Sequence, residues 1–404
     1  MRFYSNTRAF LDLGYDVETV QITTDPNAMA APPASLTGLR HSTNRIVPAH
    51  PPRIPSRLLY RLGIPHRWSL GYYFPCHEAV RAAVLDRERR SPGAIHVLEG
   101  DSHANAMLSL PRLRLLLGHH DIYTETVRHV QDIVREREGN RDRAPMERRE
   151  CQFVQNYERA TAARANAVLC GSLRDRDVIR GWGVRQAEYL PCSTVDERIQ
   201  KHFPPSPENP LRLVHIGRLS HLPTFRSLQF LLGQIWPQLP VSLRRRVHLR
   251  IVGRINKGNP LAEQLMALAA PYPEVELAGF IPDLEPEFAQ ADLHVVLSTA
   301  ATGYRTRIIE SFAAGLPVLS NATAAEGLEA LRPGENIFIA SEPKAVIAQL
   351  EQLLTERRRL TAAAAAAAAT YRDFYSRPVV ARRLAEILGQ YFPDAAPPAR
   401  VATS

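Results

Sequence analysis

The sequence contains few cysteines and no paired ones. Its 404 residues include four cysteines (Cys76, Cys151, Cys170 and Cys192), and no two of them are spaced C-x-x-C. This argues against a disulfide framework and against a zinc ribbon. Sparse, unpaired cysteines are typical of proteins in a reducing compartment, so a cytoplasmic location is expected.

Long apolar segments are also missing. No run of 18 or more apolar residues occurs, so no transmembrane helix is expected. The first 17 residues lack the continuous apolar core of a signal peptide. No G-x-G-x-x-G follows an expected strand, which argues against a nicotinamide-dependent dehydrogenase.

The chain is short of lysine but rich in arginine. Three of its 50 basic residues are lysine, and the formal net charge is +9. The charge is spread evenly, with 28 basic and 23 acidic side chains in residues 1–200 and 22 and 18 in the rest. Residues 128–150 alternate in sign, as a solvated helix face does, so no nucleic-acid partner is expected. The three arginines at 244–246 are most simply a solvated helix end. They would also allow a weak peripheral contact with anionic lipid at the inner face of the membrane.

Apolar strand-like runs alternate with helical patterns in the second half of the chain. The expected strands are residues 211–217, 247–253, 275–280, 292–297, 316–320 and 336–340. Helical spacing lies between them, at 224–236 and 261–270. Such β-α repetition predicts a parallel sheet with helices on both faces, which is a Rossmann-like domain.

The first half shows a similar but less regular pattern. Strands are expected at 17–22, 94–98, 115–118 and 167–170, and a long amphipathic helix at 145–165. The proline-rich segment 26–56 is expected to be loop. We therefore predict an α/β protein with two Rossmann-like lobes facing across a cleft.

The proline-rich polar segment 191–210 sets the expected domain boundary. The first lobe is expected to cover residues 1–193 and the second residues 194–371. Residues 372–404 would supply a last helix that packs back toward the first lobe, followed by a disordered tail rich in alanine and proline.

One segment combines groups that suit a sugar nucleotide. Gly303 precedes a helix expected to start near Arg305, so a ligand could approach the backbone and the helix N-terminus closely. Arg305 and Arg307 supply guanidinium donors for phosphate oxygens. Glu310 lies about one turn further, where a carboxylate can accept hydrogen bonds from a sugar diol.

These residues resemble the donor-site motif of group 1 glycosyltransferases, the retaining family 4 enzymes of GT-B fold. That motif runs G-x-R-x-K-x-x-E-A-x-A-x-G-x-P-V-V and is followed by E-G-L. The matching residues here are Gly303, Arg305, Arg307 in place of Lys, Glu310, Ala313, Gly315, Pro317, Val318 and Glu326. The resemblance covers residues 205–355 well and the first half of the chain more weakly.

The resemblance implies a role for each matching residue. It implies that Glu310 accepts the ribose hydroxyls, while Arg218 and Arg307 hold the diphosphate and Arg305 adds charge. The donor-binding residues that it implies are Gly217, Arg218, Phe280, Ile281, Gly303, Tyr304, Arg305, Arg307 and Glu310. Phe280 and Ile281 would border the base, and Gly303 and Tyr304 would offer amides to the donor sugar. No metal or other cofactor is implied, because the nucleotide sugar is the substrate.

A loop in the first half supplies the expected catalytic residues. His120 and Asp121 follow an expected strand, and ligands bind at the carboxyl ends of strands in such sheets. The family has a loop of this kind near the donor sugar and the acceptor. Simple capping of the loop is an equally good interpretation of this pair. A second polar group, His96, Glu99, Asp101 and His103, would line the acceptor cleft or, more simply, form a satisfied loop cluster.

The resemblance implies transfer of a sugar from a nucleotide sugar to a carbohydrate or lipid-linked acceptor, with retention of configuration. Two departures leave alternatives open. Thr302 stands where many members have a first Glu, and residues 222–224 lack the usual Lys. A catalytically silent scaffold that binds a nucleotide or a partner is therefore one alternative. A non-hydrolysing nucleotide-sugar epimerase, which shares the fold, is another. The first residues resemble the family's first helix, so we also expect the first lobe to lack its first strand.

Overall fold

A computed structural model describes residues 2–23, 42–48, 76–100, 104–138, 144–193, 209–219, 222–254, 258–299 and 305–395. The chain divides into two compact units. The first unit takes its residues from Met1–Val195 and Arg377–Ser404, and the second from Asp196–Ala301 and Arg305–Ser376. Within the described residues, no helix combines the length and the apolar composition needed to cross a membrane.

The first unit is built from six strands and six helices among its described residues. Its strands are β1 Val17–Thr23, β2 Ser42–Pro48, β3 Ile95–Glu99, β4 Arg114–His119, β5 Ala167–Cys170 and β6 Ala187–Tyr189. Its helices are α1 Arg2–Asp12, α2 His77–Arg90, α3 Tyr123–Glu138, α4 Ala144–Arg164, α5 Leu173–Gly181 and, from the end of the chain, α14 Arg377–Tyr391. A 3-10 turn spans Asn105–Ser109.

Parallel pairing organises these strands. β3, β4, β5 and β6 form a four-stranded sheet in that order, and β1 pairs with β2 in a separate two-stranded ladder. The expectation of loop throughout residues 26–56 is therefore wrong for Ser42–Pro48. Among the described residues β2 pairs with β1 only, and a strand with one neighbour tolerates a terminal proline such as Pro48.

Both faces of the four-stranded sheet are covered. Leu115 and Leu117 pack into one apolar cluster, whereas Leu116, between them, packs into another. This second cluster joins α1 to α14 through side chains such as Ala9 and Leu384. A continuous apolar run in a strand is what burial on two faces requires, because successive side chains point to opposite faces.

The second unit repeats the β-α pattern more regularly. Its strands are β7 Leu211–Ile216, β8 Val247–Val252, β9 Val275–Gly279, β10 Leu293–Val296, β11 Val318–Ser320 and β12 Phe338–Ile339. Its helices are α6 Leu222–Phe230, α7 Val241–Arg244, α8 Pro260–Ala269, α9 Glu285–Gln290, α10 Thr306–Ala313, α11 Ala322–Ala325, α12 Pro343–Thr355 and α13 Arg358–Thr370. Two π-helical turns extend α6 and α13, at Leu231–Ile235 and Tyr371–Tyr375.

All six strands of this sheet run parallel in the order β12-β11-β10-β7-β8-β9. Leu213 packs into a large cluster on one face, and Val214 packs into a smaller cluster on the other. The sheet is therefore buried on both faces, as the β-α alternation predicted. The α/β fold with parallel sheets is confirmed.

Candidate functional site

The strand order of the second unit identifies where a ligand would bind. From β7 the chain moves to β8 and β9 on one side and then to β10, β11 and β12 on the other. The order therefore reverses between β7 and β10. In open parallel sheets, ligands bind outside the carboxyl ends of the strands at this switch point. Gly217 follows β7 and Leu297 follows β10, so both lie at that position.

Glycines let the ends of the neighbouring strands approach closely. The Gly217 amide donates to the Val252 carbonyl at 3.0 Å, and the Gly253 amide donates to the Gly279 carbonyl at 2.8 Å. A Cβ on Gly253 would lie 1.9 Å from the Gly217 carbonyl oxygen, and a backbone atom cannot move aside cheaply. Gly253 is therefore required for this arrangement of the backbone. The ends of β7, β8 and β9 thus form one tightly packed rim.

Helix α10 carries two of the predicted residues on one face. Its inner side consists of buried residues, among them Ile308, Ile309 and Phe312. Arg307 and Glu310 are half-buried and three residues apart, which places them on the same side of the helix. The amphipathic pattern of α10 therefore fixes both polar side chains together when its apolar side enters the core.

Arg307 reaches from α10 to the end of β7. Its Nη1 donates to the Ile216 carbonyl at 3.3 Å and to Nε2 of His215 at 3.4 Å. The same Nη1 would lie 3.1 Å from a Cβ on Gly217. The structure therefore brings together Gly217 and Arg307, which the sequence places 90 positions apart.

The charge of Arg307 is incompletely balanced. Burial is the main cause that lowers its pKa to about 10, and the neighbouring Arg305 lowers it further, whereas Glu310 raises it. A group with a pKa of about 10 remains a cation at neutral pH. Its two hydrogen-bond acceptors, the Ile216 carbonyl and His215, are both neutral, and the N-terminus of α10 is itself partly positive. Such a site attracts an anion.

His215 is a buried, neutral acceptor for Arg307. Its Nδ1 lies 2.9 Å from the Val295 carbonyl, which can only accept, so Nδ1 carries the proton. Nε2 therefore has the lone pair that accepts from Arg307. Burial, followed by the charge of Arg307, lowers the pKa of His215 to about 3, so the ring stays neutral at physiological pH.

A second buried histidine fixes α10 against the sheet. Nε2 of His294 accepts from the Ile216 amide at 3.3 Å, and Nδ1 therefore donates to Oγ of Ser311 at 2.6 Å. Ser311 in turn donates to the Arg307 carbonyl at 2.9 Å. Burial is the main cause that holds the pKa of His294 well below its ordinary value, followed by electrostatic interactions with His215 and with the Arg307 cation. The sequence analysis assigned no role to His215, His294 or Ser311. The available signal was a histidine inside each of two apolar strands.

The segment after β10 is anchored by a side chain that follows β11. The Ser298 amide donates to Oδ1 of Asn321 at 3.0 Å, and Nδ2 of Asn321 donates back to the Ser298 carbonyl at 2.7 Å. Oδ1 of Asn321 also accepts from the Ala324 amide and so caps α11. This buried exchange fixes the chain shortly before the sequence motif begins.

The remaining predicted donor residues lie at or near strand ends. Arg218 is exposed, directly after Gly217. Phe280 is 60% exposed, and the guanidinium carbon of Arg254 lies 4.9 Å from its ring centroid, within the range of a cation–π contact. Ile281 packs against the apolar cluster that contains Ile216. Gly303 and Tyr304 lie outside the described residues.

In the first unit, His119 and His120 point to different partners. His119 is buried and lies 3.4 Å from Oε1 of Glu158, and this carboxylate also accepts from the Tyr123 amide at the start of α3. His120 is half-exposed, and its Nε2 lies 2.8 Å from Oε2 of Glu99. Asp121 is half-buried beside it. Across the described ranges, no three His, Cys, Asp or Glu side chains are grouped as ligands for a metal ion.

The family comparison concerns the second unit, which contains the crevice at the switch point between β7 and β10. Residues 210–356 match the model of the family described as glycosyl transferases group 1. This segment is therefore similar to the domains that this family model describes. It extends from β7 to the residue after α12 and therefore includes Gly217, Arg307 and Glu310. No curated protein sequence matches the chain.

Solved structures with the same fold cover nearly the whole chain. Sucrose-phosphate synthase from Thermosynechococcus elongatus is 16% identical, with a TM-score of 0.70 over 97% of this chain and 92% of that chain. Anabaena HepE, in complex with UDP-glucose, is 17% identical, with a TM-score of 0.61 over 93% and 99%. WaaG, a glycosyltransferase involved in lipopolysaccharide biosynthesis, is 17% identical, with a TM-score of 0.58 over 96% and 95%. These likenesses establish the GT-B fold.

Proposed function

We propose that this protein transfers a sugar from a nucleotide-sugar donor to a carbohydrate or lipid-linked acceptor, with retention of anomeric configuration. One observation carries the proposal. At the switch point of the second unit's sheet, the half-buried cation of Arg307 has neutral hydrogen-bond partners and lies against Gly217. A diphosphate would supply the missing negative charge there.

The charged groups around the crevice divide between two parts of the proposed donor. We assign the diphosphate to Arg307, assisted by Arg218 and Arg305, and to the amides at the start of α10. We assign the ribose hydroxyls to Glu310, one turn further along α10. A carboxylate that accepts hydrogen bonds from a diol is a strong and directional partner. No metal ion is needed in this proposal, because arginines and the helix N-terminus supply the positive charge.

We extend the proposal to the other predicted contacts. Phe280 and Ile281 would border the base, and Gly303 and Tyr304 would offer amides to the donor sugar. His120 and Asp121 would act on the sugar or the acceptor. Uridine diphosphate sugars are the first donors to test, since HepE is described in complex with UDP and with UDP-glucose. A lipid-linked acceptor would place the protein at the inner face of the membrane.

A turnover assay tests this function. The purified protein is incubated with UDP-glucose or another nucleotide sugar and with oligosaccharide or polyprenyl-phosphate sugar acceptors. Release of nucleoside diphosphate is followed by a coupled assay, and the anomeric configuration of the product is read by NMR. We expect acceptor-dependent release and a product with the configuration of the donor. An inverted product would contradict retention.

The same assay separates the two alternatives that the sequence leaves open. Thr302 and the missing Lys in residues 222–224 favour a catalytically silent scaffold, for which nucleotide would bind without release of diphosphate from any donor. Formation of an epimeric nucleotide sugar without any acceptor would instead identify an epimerase. Either result would overturn the proposed transfer.

A further inference from the structure

A carboxylate and an imidazole are joined where β3 and β4 end. Oε2 of Glu99, the last residue of β3, lies 2.8 Å from Nε2 of His120, the first residue after β4. Oε1 of Glu99 accepts from Nδ2 of Asn6 at 2.6 Å. Asn6 belongs to α1 and is buried. Both carboxylate oxygens therefore have a donor, one from α1 and one from the residue that follows β4.

The backbone beneath this carboxylate is shaped to receive it. Gly118 is the register partner of Glu99 in the β3–β4 ladder. A Cβ on Gly118 would lie 2.2 Å from Oε2 and 2.4 Å from Cδ of Glu99. The Glu99 carboxylate therefore occupies the space that any other residue at position 118 would fill. From above Gly118 the carboxylate reaches His120, which follows Gly118 by two residues.

The contact fixes the tautomer of His120. An ionised carboxylate accepts hydrogen bonds and cannot donate them, so Nε2 of His120 carries the proton. In a neutral imidazole the other nitrogen, Nδ1, then has a free electron pair and acts as an acceptor. The His120 side chain is 37% exposed, whereas that of Glu99 is 11% exposed. The pair is thus a shielded orienting group with a more accessible ring.

The neighbouring histidine shows how a structural pair differs. The His119 and Glu158 side chains are 1% and 4% exposed. Glu158 also accepts from the Tyr123 and Thr124 amides, so its carboxylate caps α3. The Glu99 carboxylate, in contrast, contacts two side chains from separate parts of the unit, Asn6 and His120. The His120 pair is therefore built to orient a ring at the surface.

We propose that Glu99 is a positioning residue for the transfer reaction. It holds His120 as the tautomer whose Nδ1 accepts a hydrogen bond from a sugar hydroxyl group. The proposal rests on the proposed function. The inference goes beyond that function because the sequence analysis placed Glu99 only in a polar cluster and assigned it no role toward His120. The same logic governs bases in enzyme active sites, where a third group sets the tautomer of a histidine.

Two variants perturb this contact in different ways. Glu99→Gln keeps the size and the hydrogen-bonding capacity of the side chain but lets the amide either donate to Nε2 or accept from it. Gly118→Ala keeps the carboxylate but pushes it off its present position. We expect each to lower kcat by about 10- to 100-fold, the effect of losing one charge-assisted hydrogen bond, with the donor KM changed less than about twofold.

A matched control lies at the other end of β3. Oε2 of Glu88 lies 2.7 Å from Nε2 of His96, so Glu88→Gln disrupts another carboxylate–histidine pair of the same unit. The kcat of Glu88→Gln is expected to stay within about twofold of the wild-type value. In a double-mutant cycle, Glu99→Gln and His120→Gln should be non-additive, because both remove the same arrangement.

The source of the hydroxyl group follows from two rates. If donor hydrolysis in water and transfer to the acceptor fall equally in Glu99→Gln, the hydroxyl belongs to the donor sugar. If transfer alone falls, it belongs to the acceptor. The positioning role is overturned if both Glu99→Gln and Gly118→Ala retain wild-type kcat, or if the effects of Glu99→Gln and His120→Gln simply add.

A spectroscopic measurement keeps this inference independent of turnover. Nitrogen-15 NMR of imidazole-labelled protein, with His120 assigned through His120→Gln, should show His120 protonated at Nε2. Glu99→Gln should shift it toward the Nδ1-protonated form or a mixture. An unchanged tautomer contradicts the proposal even if the wild-type protein transfers sugar. A protein without transfer activity but with this tautomer shift would contradict the proposed function alone.

Discussion

Replacing Arg307 with methionine is expected to weaken the binding of uridine diphosphate by about 100-fold. A hydrogen bond to a charged group contributes about 1.5–3 kcal/mol, and a guanidinium can donate two of them to a diphosphate. Two bonds at the lower limit correspond to about 3 kcal/mol, or about a hundredfold in the dissociation constant. Isothermal titration calorimetry at one fixed, low salt concentration measures the effect.

Methionine suits this test because it retains the apolar stem of arginine. The variant loses hydrogen bonds to the Ile216 carbonyl and to His215, but it also removes a cation from a buried position. The melting temperature should therefore change little. Arg332→Met is the matched control, since Arg332 is exposed in the same unit and pairs with Glu335. An affinity for uridine diphosphate within threefold of wild type in Arg307→Met would contradict the assignment.

Glu310→Ala is expected to weaken the binding of uridine diphosphate by about 10- to 100-fold. The carboxylate is assigned to the ribose hydroxyls, and a hydrogen bond to a charged group contributes about 1.5–3 kcal/mol. The loss should therefore depend on those hydroxyls. Calorimetry measures the binding of uridine diphosphate and of its 2′,3′-dideoxy analogue to the wild type and to Glu310→Ala. These four affinities form a thermodynamic cycle.

The cycle has a specific expected outcome. Wild type should bind the dideoxy analogue about as weakly as Glu310→Ala binds uridine diphosphate, and the variant should not discriminate between the two ligands. The control is Glu335→Gln, because Glu335 is an exposed carboxylate of the same unit. If Glu310→Ala still prefers uridine diphosphate by the wild-type factor, another group contacts the ribose.

The fold was predictable where apolar runs are long and bounded by turns. Ala167–Cys170 and Leu211–Ile216 are buried strands that the sequence located within a residue or two. The failures have physical causes. Ser42–Pro48 lies in a proline-rich segment and pairs with one other strand among the described residues, so neither composition nor alternation indicated β structure. Ala187–Tyr189 is three residues long and has an acidic centre, which leaves no period to detect.

The sequence predicted that Arg307 and Glu310 lie on one helix, but it did not predict the residues that support them. The spacing of Arg307 and Glu310 on one helix is a local property, so the sequence alone indicated it. His215, His294 and Ser311 act by contacts between elements 17 to 92 positions apart. The sequence shows two of them as polar residues in apolar strands and does not show what they contact. Glu99 is a similar case, since its partner Asn6 is 93 positions away.

The most direct test of the central claim is a crystal structure of the wild-type protein with uridine diphosphate. We predict that the diphosphate lies at the switch point between β7 and β10, with an oxygen within about 3 Å of the Arg307 guanidinium. A ribose hydroxyl should lie at a similar distance from the Glu310 carboxylate. Uridine diphosphate bound elsewhere, with Arg307 still turned to Ile216 and His215, would contradict the claim.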